Sequence, residues 1–194
     1  MKLRIISGKF KGRYVKAPDS DATRPMTDRV RETLFNLLNN NIDLEGATAL
    51  DLFSGSGAIG MECISRGAKF ACFVEKNPKV KSNLDSNISS LGLEEQTFVY
   101  NMDVVRFLQS TEKRFDIIIA DPPFFDFSIY KGVKTVMERG LLYEGGLMVI
   151  ERSIQTQKED TQEFGKEPDK KIGDALLYFF YSEVKEEKSE AENG

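Results

Sequence analysis

The sequence predicts an α/β protein, a Rossmann-like, doubly wound and mainly parallel sheet. Two observations carry the α/β part. From residue 47, short apolar runs alternate regularly with amphipathic stretches, the pattern of successive βαβ units. Gly55-Ser-Gly57-Ala-Ile-Gly60 joins the first run to the first stretch, as a tight turn opening a helix at the sheet's carboxyl edge would.

The elements follow in order. Residues 3–7 and 13–17 alternate in strand fashion around Gly8-Lys9-Phe10-Lys11-Gly12, which reads as a small hairpin with a basic tip. Val30, Leu34, Leu37 and Leu38 recur at helical spacing after Thr27, a suitable N-cap, with Asp28 favourable in the first turn. Strands are expected at 47–53, 70–75, 97–100, 115–120 and 147–151, the fourth buried on both faces. Helices are expected at 58–66, 78–91, 104–110 and 129–139, with Pro78 at a first-turn position. After Arg152 the alternation stops. Residues 155–174 are polar and carry Pro168 and Gly173, while 175–181 form a strong strand. They read as a C-terminal antiparallel hairpin whose first member, near 164–171, is an irregular edge strand. Residues 183–194 hold five Glu and two Lys and read as a disordered acidic tail. The organisation is thus a basic hairpin extension over 1–22, a catalytic domain over 23–182 and the tail over 183–194.

Composition narrows the chemistry. The 194 residues suffice for one well-packed domain, and no apolar run reaches the roughly 18 residues of a membrane span. With no signal-peptide core at the N-terminus, a cytoplasmic monomer is expected. Histidine is absent, which removes imidazole catalysis and histidine metal sites together. Cys63 and Cys72 fit no zinc spacing and read as small buried hydrophobes, so no metal is expected. Residues 1–40 carry nine Lys/Arg against four acids, in a chain whose net charge is −4. A basic arm on an acidic body suits a polyanionic partner held at one end, or is only a solvated basic surface.

Four places carry candidate chemistry. Asp51-Leu-Phe53-Ser-Gly55-Ser-Gly57 matches the start of a dinucleotide fingerprint. A carboxylate aimed at the turn would repel a pyrophosphate, yet suits the ammonium of S-adenosylmethionine. Glu75 ends the second strand, where an acid can accept both ribose hydroxyls; this indicates an adenosine without naming the cofactor. Asp103 follows the third strand, placed either to contact adenine N6 or to cap the helix beginning at Val104.

Asp121-Pro122-Pro123-Phe124, after the fourth strand, is the most specific feature. Prolines alone could merely end a ladder. Base chemistry explains all four residues. An exocyclic amine conjugated with its ring is a poor nucleophile. The Asp121 carboxylate and the Pro122 carbonyl can accept both its hydrogens and draw the nitrogen toward sp³ geometry. The prolines fix the acceptors' backbone, and Phe124 offers a face for an extruded base, worth about 1–3 kcal/mol.

With these residues the chain resembles the RsmD family, guanine-N2 methyltransferases of bacterial small-subunit ribosomal RNA. The resemblance implies a fold of the class I methyltransferase type and runs from about residue 3 to 181. It includes Arg4-Ile-Ile-Ser-Gly8-Lys-Phe-Lys-Gly12-Arg13, the segment from Thr23-Arg24-Pro25 through Thr27-Asp28-Arg29-Val-Arg31-Glu32 to Phe35-Asn36, the Asp51–Gly57 turn, Phe73-Val-Glu75-Lys-Asn77 and the tetrad. It implies that Asp51, Phe53, Gly55, Gly57, Glu75 and Asp103 hold S-adenosylmethionine, and that Asp121 to Phe124 grip the guanine amine. Arg24, Thr27 and Arg29 would close over the methionine end or touch RNA, and Lys9, Lys11 and Arg13 would meet phosphates. The partner implied is ribosomal RNA or the small ribosomal subunit, with the target base flipped out. A DNA or RNA adenine-N6 or cytosine-N4 methyltransferase uses a similar tetrad, but the chain leaves no room for a sizeable target-recognition insertion. A non-enzymatic RNA-binding module would not be expected to keep both the turn and the tetrad.

Overall fold

The computed structural model describes residues 1–18 and 26–182. Arg24 and the acidic tail lie outside the described residues. A short antiparallel hairpin, β1 (Lys2–Arg4) with β2 (Tyr14–Lys16), precedes α1 (Asp28–Leu38). The alternating core follows as β3 (Thr48–Leu52), α2 (Ala58–Ser65), β4 (Phe70–Val74), α3 (Pro78–Leu91), β5 (Thr97–Tyr100), α4 (Val104–Ser110), β6 (Phe115–Ala120), α5 (Ser128–Glu138) and β7 (Leu142–Ser153). The chain ends in α6 (Gln157–Phe164), β8 (Lys170–Ile172) and β9 (Ala175–Tyr181).

The seven-stranded sheet has the order β5-β4-β3-β6-β7-β9-β8. Strands β5, β4, β3, β6 and β7 are parallel, whereas β9 runs antiparallel to both β7 and β8. The chain leaves β3 first toward β4 and later returns to β6 on its other side. This reversal opens a crevice at the strands' carboxyl ends. Alternate residues of β6 enter separate cores: Ile117 and Ile119 join the side covered by α1, α2 and α3, Ile118 and Ala120 the side covered by α4 and α5. A strand buried on both faces must be apolar on both. Its one acid, Asp116, is used within the sheet, accepting from the Thr48 N–H and hydroxyl at 2.7 Å each.

The hairpin shares the first core through Leu3, Ile5, Val15 and Ala17. Glu62 of α2, fully buried, explains its docking: its carboxylate accepts the Ile6 and Ser7 N–H groups at 2.7 and 3.0 Å and pairs with Arg66. At Gly8 a Cβ would lie 1.6 Å from the Ser65 carbonyl oxygen, so only glycine permits that approach. Asn87 ties β2 to α3, exchanging hydrogen bonds with Lys16 and donating to the Ser56 carbonyl of the glycine turn.

The region after Arg152 differs from the sequence expectation. Residues 157–164 are helical, and the edge strand is confined to Lys170–Ile172. The stretch is too polar to show helical periodicity because α6 is anchored by a polar group. Buried Asp160 accepts from Arg152 Nε at 2.9 Å, Thr156 Oγ1 at 2.7 Å and the Tyr130 hydroxyl at 2.7 Å. Phe164 closes the helix against Tyr130, Tyr178 and Phe180. Removing one partner from a wholly buried ion pair strands the other. Asp160→Ala is therefore expected to lower stability by roughly 3–5 kcal/mol, read as a fall in the urea midpoint, whereas Glu112→Ala, at an exposed pair with Arg139, should move it by less than about 1 kcal/mol.

Candidate active site

A cleft of about 940 Å³ occupies the crevice. Its floor is the run of segments leaving the strands: Phe53 to Ser56 after β3, Glu75 to Asn77 after β4, Asp103 after β5, and Asp121 to Phe127 after β6. Met1, Leu3, Ala17, Pro18, Met26 and Arg31 form the side contributed by the hairpin and α1.

The turn after β3 is stitched to β4. The Ser54 hydroxyl bridges the Asp51 carbonyl, at 2.6 Å, and the Val74 N–H, at 2.9 Å, while the Ser54 N–H donates to the Val74 carbonyl. These bonds hold Phe53 at φ 58°, a conformation costing a non-glycine residue of order 1–3 kcal/mol. Gly57 caps α2 at φ 78°, and a Cβ there would meet Leu84 Cδ1 at 2.3 Å. Asp51 is buried under the turn and accepts the Gly60 N–H at 2.9 Å. Burial pushes its carboxyl well above the usual range; the Gly60 bond opposes this, and the charges of Asp121 and Glu75 add to it.

Glu75 faces the cleft with its oxygens on the Gly55 and Asn77 N–H groups, at 3.1 and 2.8 Å. Asp103 lines it too and caps α4 through the Arg106 N–H at 3.0 Å, so both roles read from the sequence are compatible at one residue.

Asp121 emerges from β6 half-buried, between Met26 and Arg152. Burial raises its carboxyl to about 7, with the Met26 N–H and the Arg152 charge pulling the other way. Glu151, at the end of the neighbouring β7, is raised further by burial and by Asp121. Pro122 is buried; the Pro123 carbonyl accepts the Asp126 N–H at 2.8 Å. Among the described residues no donor pairs with the Pro122 carbonyl. Phe124 is 45% exposed, and Phe125 and Phe127 lie exposed beside it. Arg152 stacks over Phe127 and Tyr130, at 6.0 and 5.8 Å.

The structure thus gathers Phe53, Gly55, Glu75, Asp103 and the tetrad around one cleft, with Asp51 and Gly57 buried beneath it. Thr27 caps α1 through the Val30 N–H at 3.3 Å, and Arg29 is exposed on its first turn, next to cleft-lining Met26. Lys9, Lys11 and Arg13 are not brought to the cleft. The Lys9 N–H donates to the Ser65 carbonyl and Arg13 to the Ser90 carbonyl, at the far ends of α2 and α3. A helix the length of α2 places them on the order of 12 Å from the turn. Both cysteines are free and buried.

The family model described as conserved hypothetical protein 95 matches residues 3–181. Ribosomal RNA small subunit methyltransferase D of Escherichia coli K12 is 36% identical over 153 residues, 79% of this chain and 76% of its own length. The chain belongs to the RsmD family. A solved Escherichia coli structure aligns at 29% identity with a TM-score of 0.78, covering 95% of this chain and 99% of that one. A Thermus thermophilus methyltransferase, solved with AdoMet and guanosine, shares the fold at 20% identity and a TM-score of 0.70, over 94% of this chain and 50% of its own.

Sequence reasoning missed Ser54, Arg31, Glu151 and Arg152. A serine between two turn residues has no distinguishing pattern, and the others matter only through strand register and packing. Gly57→Ala combines a positive φ with overpacking against Leu84. It is expected to lower the thermal midpoint by the equivalent of about 1–3 kcal/mol, while Gly92→Ala, at a similar φ but with open space around it, should cost less in the same measurement.

Proposed function

We propose that this protein transfers the methyl group of S-adenosylmethionine to the exocyclic N2 of a guanine in small-subunit ribosomal RNA. The observation that carries this reading is the convergence of Asp121 to Phe124 with Gly55, Glu75 and Asp103 on one cleft. The name of the Escherichia coli relative supports the ribosomal RNA substrate, and the neighbour solved with AdoMet and guanosine lends support to the cofactor and the base.

The cleft's residues fit the cofactor. Glu75 accepts the ribose hydroxyls, Asp103 meets the adenine edge, and Gly55 lets the backbone approach closely. Phe53, held at positive φ beside Gly55, forms an apolar wall, and Thr27 keeps α1 in place alongside. The bound cofactor supplies an electrophilic methyl on a sulfonium. The chain's own contribution is to place the nucleophile in line with it, which can remove several kcal/mol of barrier. The Asp121 carboxylate and Pro122 carbonyl accept the two amine hydrogens, Pro123 stiffens the loop, and Phe124 stacks on the flipped base. Neither a metal nor a histidine is required. After transfer the nitrogen is strongly acidic, and its proton passes to the Asp121 carboxylate or to water.

RNA approach is divided between two surfaces. Arg24 and Arg29 flank the cleft in sequence, on either side of Met26. Lys9, Lys11 and Arg13 would contact phosphates from the opposite edge of the sheet, which calls for an extended, structured substrate such as the small subunit rather than a short oligonucleotide. The cytoplasm, as a monomer, is the proposed setting.

Incubating the protein with labelled S-adenosylmethionine and small subunits from a strain lacking the mark should yield N2-methylguanosine on nucleoside digestion. Label in N6-methyladenosine instead, or in no ribosomal species, would overturn the reading. Asp121→Ala should lower kcat roughly 10²- to 10³-fold without abolishing cofactor binding. The acceptor role needs the ionised carboxylate, and burial raises its pKa to about 7. The rate is therefore expected to fall as pH drops through about 7. Glu151 is raised further, by burial and by the Asp121 charge, so it is still protonated at that inflection and Glu151→Gln should leave the inflection near 7.

A further inference from the structure

Glu151 is an acid at the strand ends to which the chemistry above gives no task. Register sets it beside Asp121: Ala120 of β6 pairs with Ile150 of β7, and the next residue of each chain segment is the acid. Neighbouring strands run about 4.8 Å apart. Ala120 and Ile150 both pack in the core under α4 and α5, so alternation turns the two acids to the opposite face, that of α1. There the Met26 N–H meets Asp121. The Glu151 Oε2 is buried and, among the described residues, has no hydrogen-bond partner. On its other flank β9 sets Leu177, whose side chain is apolar. Arg152, next along β7, is engaged with Asp160 and the Asp126 carbonyl.

A buried polar oxygen without a partner is costly. Two carboxyls side by side do not both ionise readily. Burial, aided by the Asp121 charge, raises Glu151 to about 9, whereas Asp121 is raised by burial to about 7, with the Met26 N–H and the Arg152 charge opposing. Between those values the pair holds one proton, on Glu151. The further acid near the pair is Asp51 of β3, on which the Asp121 charge also acts. A protonated carboxyl is a donor, and the acceptor that register sets beside it is the Asp121 carboxylate.

We propose that Glu151 is a positioning residue for the methyl transfer: its carboxyl O–H donates to the Asp121 carboxylate and holds it turned to receive an amine hydrogen. This rests on the base-amine reading above and adds a residue to it. With the Met26 N–H on the same carboxylate, the Glu151 hydroxyl fixes its orientation and leaves the remaining lone pairs to the substrate. An O–H donor on a carboxylate is among the stronger hydrogen bonds. The Glu151 proton stays where it is throughout; the proton that the methylated nitrogen releases passes to Asp121 or to water.

Single-turnover methylation of small subunits, followed against pH, tests this with Glu151→Gln and Glu151→Leu, each also made in an Asp121→Ala background. Glu151→Gln keeps a donor, and its rate should stay close to that of the wild type. Glu151→Leu keeps the bulk but has no donor. It should lower the rate roughly 10- to 100-fold, the worth of a hydrogen bond to a charged group, with S-adenosylhomocysteine affinity unchanged. Its acid-side inflection should move above the wild-type value of about 7, because the ionised Asp121 has lost a donor. In Asp121→Ala the same substitution should cost nothing further, since it acts only through that carboxylate. Where Glu151→Leu melts below the assay temperature, Glu151→Met, also without a donor, replaces it. A folded Leu or Met variant at the wild-type rate overturns the proposal. So does a loss that persists in Asp121→Ala, or a Glu151→Gln as slow as Glu151→Leu. A wild-type protein that methylates no base amine overturns the base-amine reading itself, a result distinguishable because no rate is then left to compare.

Discussion

Carboxylates stand in a row along the carboxyl edge of the sheet. Asp103, Glu75 and Asp121 follow β5, β4 and β6, and Asp51 and Glu151 lie in the last residues of β3 and β7, in the spatial order β5-β4-β3-β6-β7. Parallel strands in register bring their ends together, so acids that are far apart in sequence become neighbours. Three of them, Asp51, Asp121 and Glu151, are raised by burial, and the charges of Asp121 and Glu75 act on one or another of them. Such an edge is electrostatically unfavourable in itself and favourable toward a cation. An adenosyl sulfonium carrying an ammonium answers that constraint; a pyrophosphate does not. The choice between a dinucleotide and a sulfonium, left to Asp51 alone in the sequence, thus rests in the structure on the whole strand-end row.

This constraint also explains why the basic groups lie where they do. Arg152 is drawn under the tetrad, where it faces Asp121, pairs with Asp160 and stacks beneath Phe127 and Tyr130. It supports the aromatic rim of the cleft from below without entering it. The hairpin's lysines lie at the other edge of the sheet, away from the acids they would otherwise neutralise. An acidic cleft repels a phosphate backbone, and in the proposed reading keeping phosphate contacts away from it lets a base enter alone.

Much of this was legible in the sequence because its signals are local. Pro78 and the apolar spacing bounded α3 at Pro78–Leu91, and β5, α4 and β6 likewise fell where periodicity placed them. The tetrad was legible because prolines, an acid and an aromatic have one joint chemical rationale. What escaped was non-local and polar. Helix α6 has a polar anchor, Asp160, whose partners Thr156, Arg152 and Tyr130 stand 4, 8 and 30 residues away. The hairpin's place depended on Glu62, which reads in sequence as one more helix acid and is in fact its buried clamp. The basic tip was legible as basic, but its distance from the cleft depends on which end of α2 it packs against, and periodicity carries no such information.

The two buried clamps, Glu62 and Arg31, have complementary consequences. Glu62 is satisfied by backbone N–H groups of the hairpin and by Arg66, so the hairpin's inner end is fixed without any ligand. Arg31 holds the outer end through the Arg4 carbonyl and Asp28, and among the described residues its Nε and Nη1 find no acceptor. Both clamps sit where the hairpin meets the sheet domain, so displacing the hairpin strands a buried charge on each side.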